Sequence, residues 1–418
     1  MKYKKIYTLL FIFLSTYNPR VINFLLPFNE IVRNILLLFI LFYFLYLTYK
    51  IKIHENIKLT KYHFLLYFIV IFIIIRVLLL IPSFPDISQL LFGSLIAMSL
   101  SIIIKTDWFR SLFFTQLSYI CILSLFIFIF LPRIGLPLFT VENPLDGDDL
   151  FDNVSFRFAS IFIAPGLASY YFVSLFIYHL TNIAFFKRKW SSIIILSLIT
   201  LCGLFTINRS FIICCSVIIF FFTYFCFRKY FLTTLKYILL IFIIIILILQ
   251  FYHSDILDNI LNLYLDRFTN SSLIENRISG DTGFLESLND LIKHPVLFGR
   301  LFYDGNSFSI TTSDGKLQQP HFSYAYYLLA FGPILIISIL ILYIMTFSKI
   351  FSLIYLQRRR LSTDNYYLLI QSIFLLIGVI LVSFTEVFLI ETMNIITLFT
   401  IYNIYNLHKY DNNSRFKG

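Results

Sequence analysis

Charge is scarce in this chain: 13% of its 418 residues are Asp, Glu, Lys or Arg, against 59% that are hydrophobic. At a mean hydropathy of +0.86 no soluble globular fold could cover so much apolar surface, which leaves an all-α polytopic membrane protein. Cysteine is scarce too. All five (Cys121, Cys202, Cys214, Cys215 and Cys226) lie in apolar runs, which argues against a structural disulfide outside the membrane. No Cys-X-X-Cys or Cys/His spacing suits a metal. Nor does an acidic pair claim one, since DGDD, with Asp146, Asp148 and Asp149, reads first as a solvated turn. The opening MKYKKIYTLLFIFLSTYNP lacks the small-residue cleavage site of a signal peptide and reads as a retained span. Gly/Ser linkers, an inverted repeat and a second soluble domain are also missing. Phe is abundant, but it carries no functional weight.

What is present is a series of apolar windows long enough to cross about 30 Å of hydrocarbon. They fall at about 6–28, 31–49, 62–82, 87–104, 112–132, 158–180, 190–207, 210–227, 233–250, 322–347, 366–384 and 387–407, giving twelve spans in one transmembrane domain, 1–418. Asn18, Pro19 and Arg20 interrupt the first, and Asn208, Arg209 and Ser210 are the whole turn between the seventh and eighth. With both termini cytoplasmic, 22 of the 33 basic residues face inward, against only Glu55, Asp107, Asp364 and Asp411 of the 22 acidic ones. That bias satisfies the positive-inside rule in nearly every loop. The net charge of +11 is therefore a topology signal, and it argues against a nucleic-acid partner.

Two outer segments exceed a simple turn: a shorter loop at 133–157 and a large one at 252–320. A loop of the first kind, long and without clear periodicity, is often functional. In the second, Ile256, Leu257, Ile260, Leu261 and Leu265, then Phe284, Leu285, Leu288, Leu291 and Ile292, have helical spacing. Both runs are too short to span and are expected to lie along the membrane surface.

The candidate chemistry is outward and basic. Arg157, in SFRFASIFIAPGLASYYF, stands at the head of the sixth window, where an arginine is either a snorkelling anchor or a functional group. Arg209 is held near the surface by its short turn, and Arg277, in ENRISGDTGF, precedes two glycines that permit close backbone approach. Each also has a plain reading, as an interfacial anchor or a solvated loop arginine. Guanidinium groups bind phosphate oxygens in bidentate fashion at any relevant pH, so three converging on one spot would hold a diphosphate without a metal. His321, in QQPHFSYAYYLLAFGPI, is the candidate proton acceptor. His294, Arg267, Arg300 and Glu386 are secondary candidates, and His253 and Glu391 are weaker ones. Apart from Arg20 at the interruption of the first, Arg76 is the only charge well inside a window.

In this order and on this side, four segments together resemble the bacterial superfamily of O-antigen polymerases and O-antigen ligases. RFASIFIAPG is similar to the family's Arg, apolar, Pro/Gly segment; INRSFII to its arginine turn; ENRISGDTGFLESLNDLIKHPVLFG to its loop arginine, helix and Pro-to-Gly turn; and PHFSYAYYLLAFGPI to its His-led span. The resemblance implies a GT-C-like membrane glycosyltransferase in the bacterial inner membrane, with its active site facing the periplasm. It further implies a polyprenyl-diphosphate-linked oligosaccharide as substrate, membrane lipid as surroundings and no cofactor. A chain-length regulator and a flippase of the same pathway are the implied protein partners. On it, Arg157, Arg209 and Arg277 hold the diphosphate, and His321, with Arg277, carries the catalysis. Ligases commonly follow the His with Asn; Phe322 stands here, which favours the polymerase. A ligase acting on lipid A core and a flippase for the lipid-linked unit are the rival readings.

Overall fold

The computed structural model describes residues 2–16, 18–80, 95–143, 155–185, 190–226, 243, 310–311, 317–318, 323–356, 361–383 and 392–415, and they are predominantly helical. The helices are α1 (Lys2–Thr16), α2 (Pro19–Leu25), α3 (Glu30–His54), α4 (Lys61–Leu80), α5 (Asp107–Phe130), α6 (Pro132–Phe139), α7 (Pro165–Phe185), α8 (Trp190–Phe205), α9 (Arg209–Cys226), α10 (Ser323–Phe351), α11 (Thr363–Ser383) and α12 (Thr392–Arg415). Such runs of Ile, Leu and Phe favour helices because a helix meets its own backbone hydrogen bonds where water is absent.

Among the described residues, four helices are long and apolar enough to cross a membrane: Glu30–His54, Trp108–Phe130, Phe331–Tyr355 and Thr363–Val382. Shorter apolar helices run over Lys61–Ile75, Ser192–Phe205, Arg209–Thr223 and Ile395–Leu407. Along α3, Ile31, Phe39, Phe42, Tyr46 and Tyr49 all lie exposed, an apolar face of the kind that lipid covers. Among the described residues, the first window is interrupted where Asn18, Pro19 and Arg20 stand, as expected, and the sixth departs from a simple span. The first breaks after Thr16 and restarts at Pro19, with Asn18 as N-cap. The sixth begins as strand and turn, and its helix starts only at Pro165. Proline at the first helical position supplies a preset φ where no N–H is needed.

The chain forms two compact units. The first comprises Met1–Ser15, Phe28–Phe113 and Ile274–Gly418, the second Thr16–Pro27 and Phe114–Leu273. In the first, Tyr7 stacks on Phe44 at 4.9 Å and bonds Thr48 at 2.9 Å, joining α1 to α3. Tyr62 of α4 stacks on Tyr402 of α12 and bonds Thr346 of α10. Lys349 completes that junction, with its ammonium 5.3, 4.9 and 5.1 Å from the rings of Tyr62, Tyr402 and Tyr405. Further along α10, Gly332 (φ 77) and Pro333 kink the helix. His63, third in α4, caps its own helix: Nδ1 accepts from Thr60 N at 3.2 Å while Nε2 lies 3.2 Å from Ser101 O. In the 252–320 loop, Ile310–Thr311 pairs antiparallel with Leu317–Gln318.

The second unit is built around α7, whose residues from Pro165 to Asn182 are almost all buried, on every face. A helix enclosed in this way is the core of its unit. It packs on α8 and α9, and its rings engage Phe162 through Tyr171 at 4.4 Å and Phe114 through Tyr178 at 4.4 Å. After α5 the chain folds straight back through α6, and Gly135 makes that reversal feasible. A Cβ at Gly135 would lie 2.4 Å from Phe128 Cα and 2.7 Å from Ile127 O, atoms of backbone that cannot turn aside. Gly135→Ala is therefore expected to push α6 off α5 and to destabilise the protein by about 1–3 kcal/mol. The thermal midpoint of detergent-purified protein reads this directly, and an unchanged midpoint contradicts the close approach.

Candidate functional site

The site is built on a short hairpin. Strand β1 (Thr140–Asn143) pairs antiparallel with β2 (Ser155–Phe158), placing Val141 opposite Arg157 and Thr140 opposite Phe158. Ala159 N extends the ladder to Phe139 O at 2.7 Å. Phe158, next to the arginine, is fully buried and packs on Phe128 at 5.3 Å, so the hairpin is fixed on its inner side. Sequence reading places Arg157 at the head of a helix; it stands instead on a strand edge, eight residues before α7 begins.

The half-buried Arg157 reaches the turn after α8. Its Nε donates to Thr206 O at 3.1 Å and its Nη2 to Ile207 O at 3.5 Å. A helix end leaves carbonyls without intrahelical partners and carries the negative end of the helix dipole, so a guanidinium satisfies both demands. Ser169 of α7 bonds Thr206 Oγ1 at 2.9 Å from the other side. The turn is tight because Gly203 lies against Phe211, where a Cβ would sit 2.1 Å from the ring. Its tightness has a cost. Ile207, 3% exposed, adopts φ 50, a left-handed conformation that a β-branched residue occupies at about 1–3 kcal/mol. Ser160, three residues after Arg157 and bonded to Ser124, is also left-handed at φ 53. Strain of this kind clusters at functional sites.

Asn208 then starts α9, accepting from Ser210 N at 2.9 Å. Arg209 follows as the first residue of that helix. Arg157 is thus held by the two residues that precede Asn208 and Arg209, and the two arginine segments meet at one end of the second unit. A third arginine joins them that sequence reading treats only as a helix breaker. Arg20, at the start of α2, donates through Nη1 to Thr140 O. An arginine inside an apolar window is itself a signal, yet its partner lies 120 residues away.

Arg277, His321, Arg267, Arg300, His294 and Glu386 lie outside the described residues, as do the two amphipathic segments of the large loop. Deeper in the unit, Ser118 lies 2.7 Å from His179 Nε2, a pairing absent from the sequence candidates. Ser118 Oγ donates to Phe114 O at 2.7 Å, so it accepts from the imidazole N–H and is not primed as a nucleophile. Among the described residues no group of three or more His, Cys, Asp or Glu is placed to hold a metal, and Cys121, Cys202, Cys214 and Cys215 are buried free thiols. No protein-family model, no curated protein and no solved structure matches the chain.

Lysine keeps the charge at position 157 but cannot fork to two carbonyls. Arg157→Lys is expected to lose one of the two bonds to the Thr206 and Ile207 carbonyls, at roughly 1–3 kcal/mol. A lower thermal midpoint in the same detergent is the expected result, and wild-type stability contradicts the bidentate hold.

Proposed function

We propose that this protein is a metal-independent glycosyltransferase, a polymerase of O-antigen or a related surface polysaccharide. It transfers a growing glycan from polyprenyl diphosphate onto a sugar hydroxyl of the next lipid-linked repeat unit. The observation that supports the reading best is the meeting of Arg157 with the turn that carries Arg209. It brings two of the three segments expected to clamp a diphosphate to one end of one unit. The four long apolar helices suit a substrate that arrives in lipid. In this reading the chain has about twelve spans in a GT-C-like arrangement, lies in the bacterial inner membrane with both termini cytoplasmic, and faces the periplasm with its arginines.

The chemistry needs little beyond positioning. The acceptor hydroxyl attacks the anomeric carbon, a new C–O bond forms, and the bond from that carbon to the diphosphate oxygen breaks. Arg157, Arg209 and Arg277 take up the charge on the leaving diphosphate, and His321 accepts the hydroxyl proton. The energy of the diphosphate ester drives the transfer, so the reaction requires no nucleotide. Tyr264, Phe284, Phe302 and Tyr303 of the large loop supply faces on which sugars stack.

The test is a strain lacking the gene, complemented with wild type, Arg277→Ala or His321→Ala, with surface glycan resolved by gel and expression verified. Lipid A core carrying a single repeat unit in the deletion strain is the expected result. Polymer accumulating on polyprenyl diphosphate while the core stays bare assigns the ligase reaction instead. Wild-type glycan from Arg277→Ala contradicts the diphosphate clamp and returns weight to a flippase.

A further inference from the structure

The break in the first apolar window does more than end a helix. Asn18 is 3% exposed and uses both ends of its amide: Oδ1 accepts from Arg20 N at 3.0 Å to start α2, and Nδ2 donates to Phe162 O at 2.8 Å. Arg20, two residues on, donates to Thr140 O. These two acceptors bracket Arg157. Thr140 is the register partner of Phe158, the residue after Arg157, and Phe162 closes the buried turn five residues past it. Between them stands Ser160 in its left-handed conformation, a backbone state that persists only where the surroundings hold it in place. Asn18 and Arg20 thus hold the arginine hairpin on both sides, and α2 packs against α6, which leads into β1.

We propose that Asn18 and Arg20 are positioning residues for diphosphate binding: they form a clasp that sets the direction in which the β1–β2 hairpin presents Arg157 to the turn bearing Arg209. The inference rests on the polyprenyl-diphosphate reading above and extends it to a segment that sequence reading treats as a mere interruption. Arg20 reaches one carbonyl through one nitrogen, so a lysine retains the bond. Asn18→Asp keeps an oxygen that caps α2 and puts an acceptor-only carboxylate oxygen in place of the Nδ2 that donates to Phe162 O. The two variants separate loss of the clasp from loss of the helix start.

The experiment measures binding of farnesyl diphosphate and of farnesol to the full chain purified in detergent, for wild type, Arg20→Ala, Arg20→Lys and Asn18→Asp. The expected result is a wild type that prefers the diphosphate, an affinity weakened about tenfold or more in Arg20→Ala and Asn18→Asp, near-wild-type affinity in Arg20→Lys, and farnesol binding unchanged throughout. Where Arg20→Ala does not fold, Asn18→Asp against Arg20→Lys carries the same comparison. A wild type that binds the two probes alike defeats the diphosphate reading and the clasp with it. A wild type that prefers the diphosphate, with Arg20→Ala or Asn18→Asp its equal, overturns the clasp alone. Equal loss of both probes, or no rescue by Arg20→Lys, assigns the pair a purely structural role and overturns it also.

Discussion

The bond from the Arg157 guanidinium to the carbonyls of Thr206 and Ile207 answers a demand that recurs through the second unit. Wherever an apolar helix stops, backbone groups are left without partners and no water is at hand to supply them. Thr206 is fully buried, as is Phe162, and both carbonyls are met by donors from distant parts of the chain. The donors are long or forked polar side chains in otherwise apolar surroundings. At these two breaks an arginine and an asparagine supply the missing donors, before the start of α7 and after the end of α8.

In the proposed reading, these breaks link stability to chemistry. A guanidinium that caps a helix end is already oriented and charged, and it needs no reorganisation before an anion arrives. Ile207, whose carbonyl accepts from Arg157, and Ser160, three residues after that arginine, are both left-handed, and the Ser169–Thr206 and Ser124–Ser160 bonds hold the chain around them. The first unit follows a different logic. There the tyrosines of α4 and α12 surround the Lys349 ammonium, and each such contact is worth on the order of 0.5–2 kcal/mol. The result is a packed helix junction in place of a strained one.

Much of this was legible in the residues. The Asn18–Pro19–Arg20 interruption and the short turn at Asn208–Arg209–Ser210 both stand where hydropathy put them. The local form around Arg157 was not. Phe158, Ala159, Ile161 and Phe162 are as apolar as a membrane helix, and a buried strand and turn cannot be told from a span by hydropathy alone. Pro165, at the first position of α7, was the cue to the true start. The partner of Arg20 was illegible for a different reason: the bond to Thr140 joins residues 120 apart, and no local pattern encodes it. Strain at Ile207 was equally hidden, since isoleucine is the residue type least suggestive of a left-handed turn.

The central claim is that the arginine end of the second unit receives a prenyl diphosphate. Photocrosslinking tests it most directly: a diphosphate lipid with a photoactivatable group next to the phosphates, irradiated with the full chain in native membranes and mapped by mass spectrometry. Adducts on peptides containing Arg20, Arg157 or Thr206–Arg209, lost on competition with unlabelled farnesyl diphosphate but not with farnesol, are the expected result. Adducts confined to other parts of the chain, or unaffected by the diphosphate competitor, contradict it.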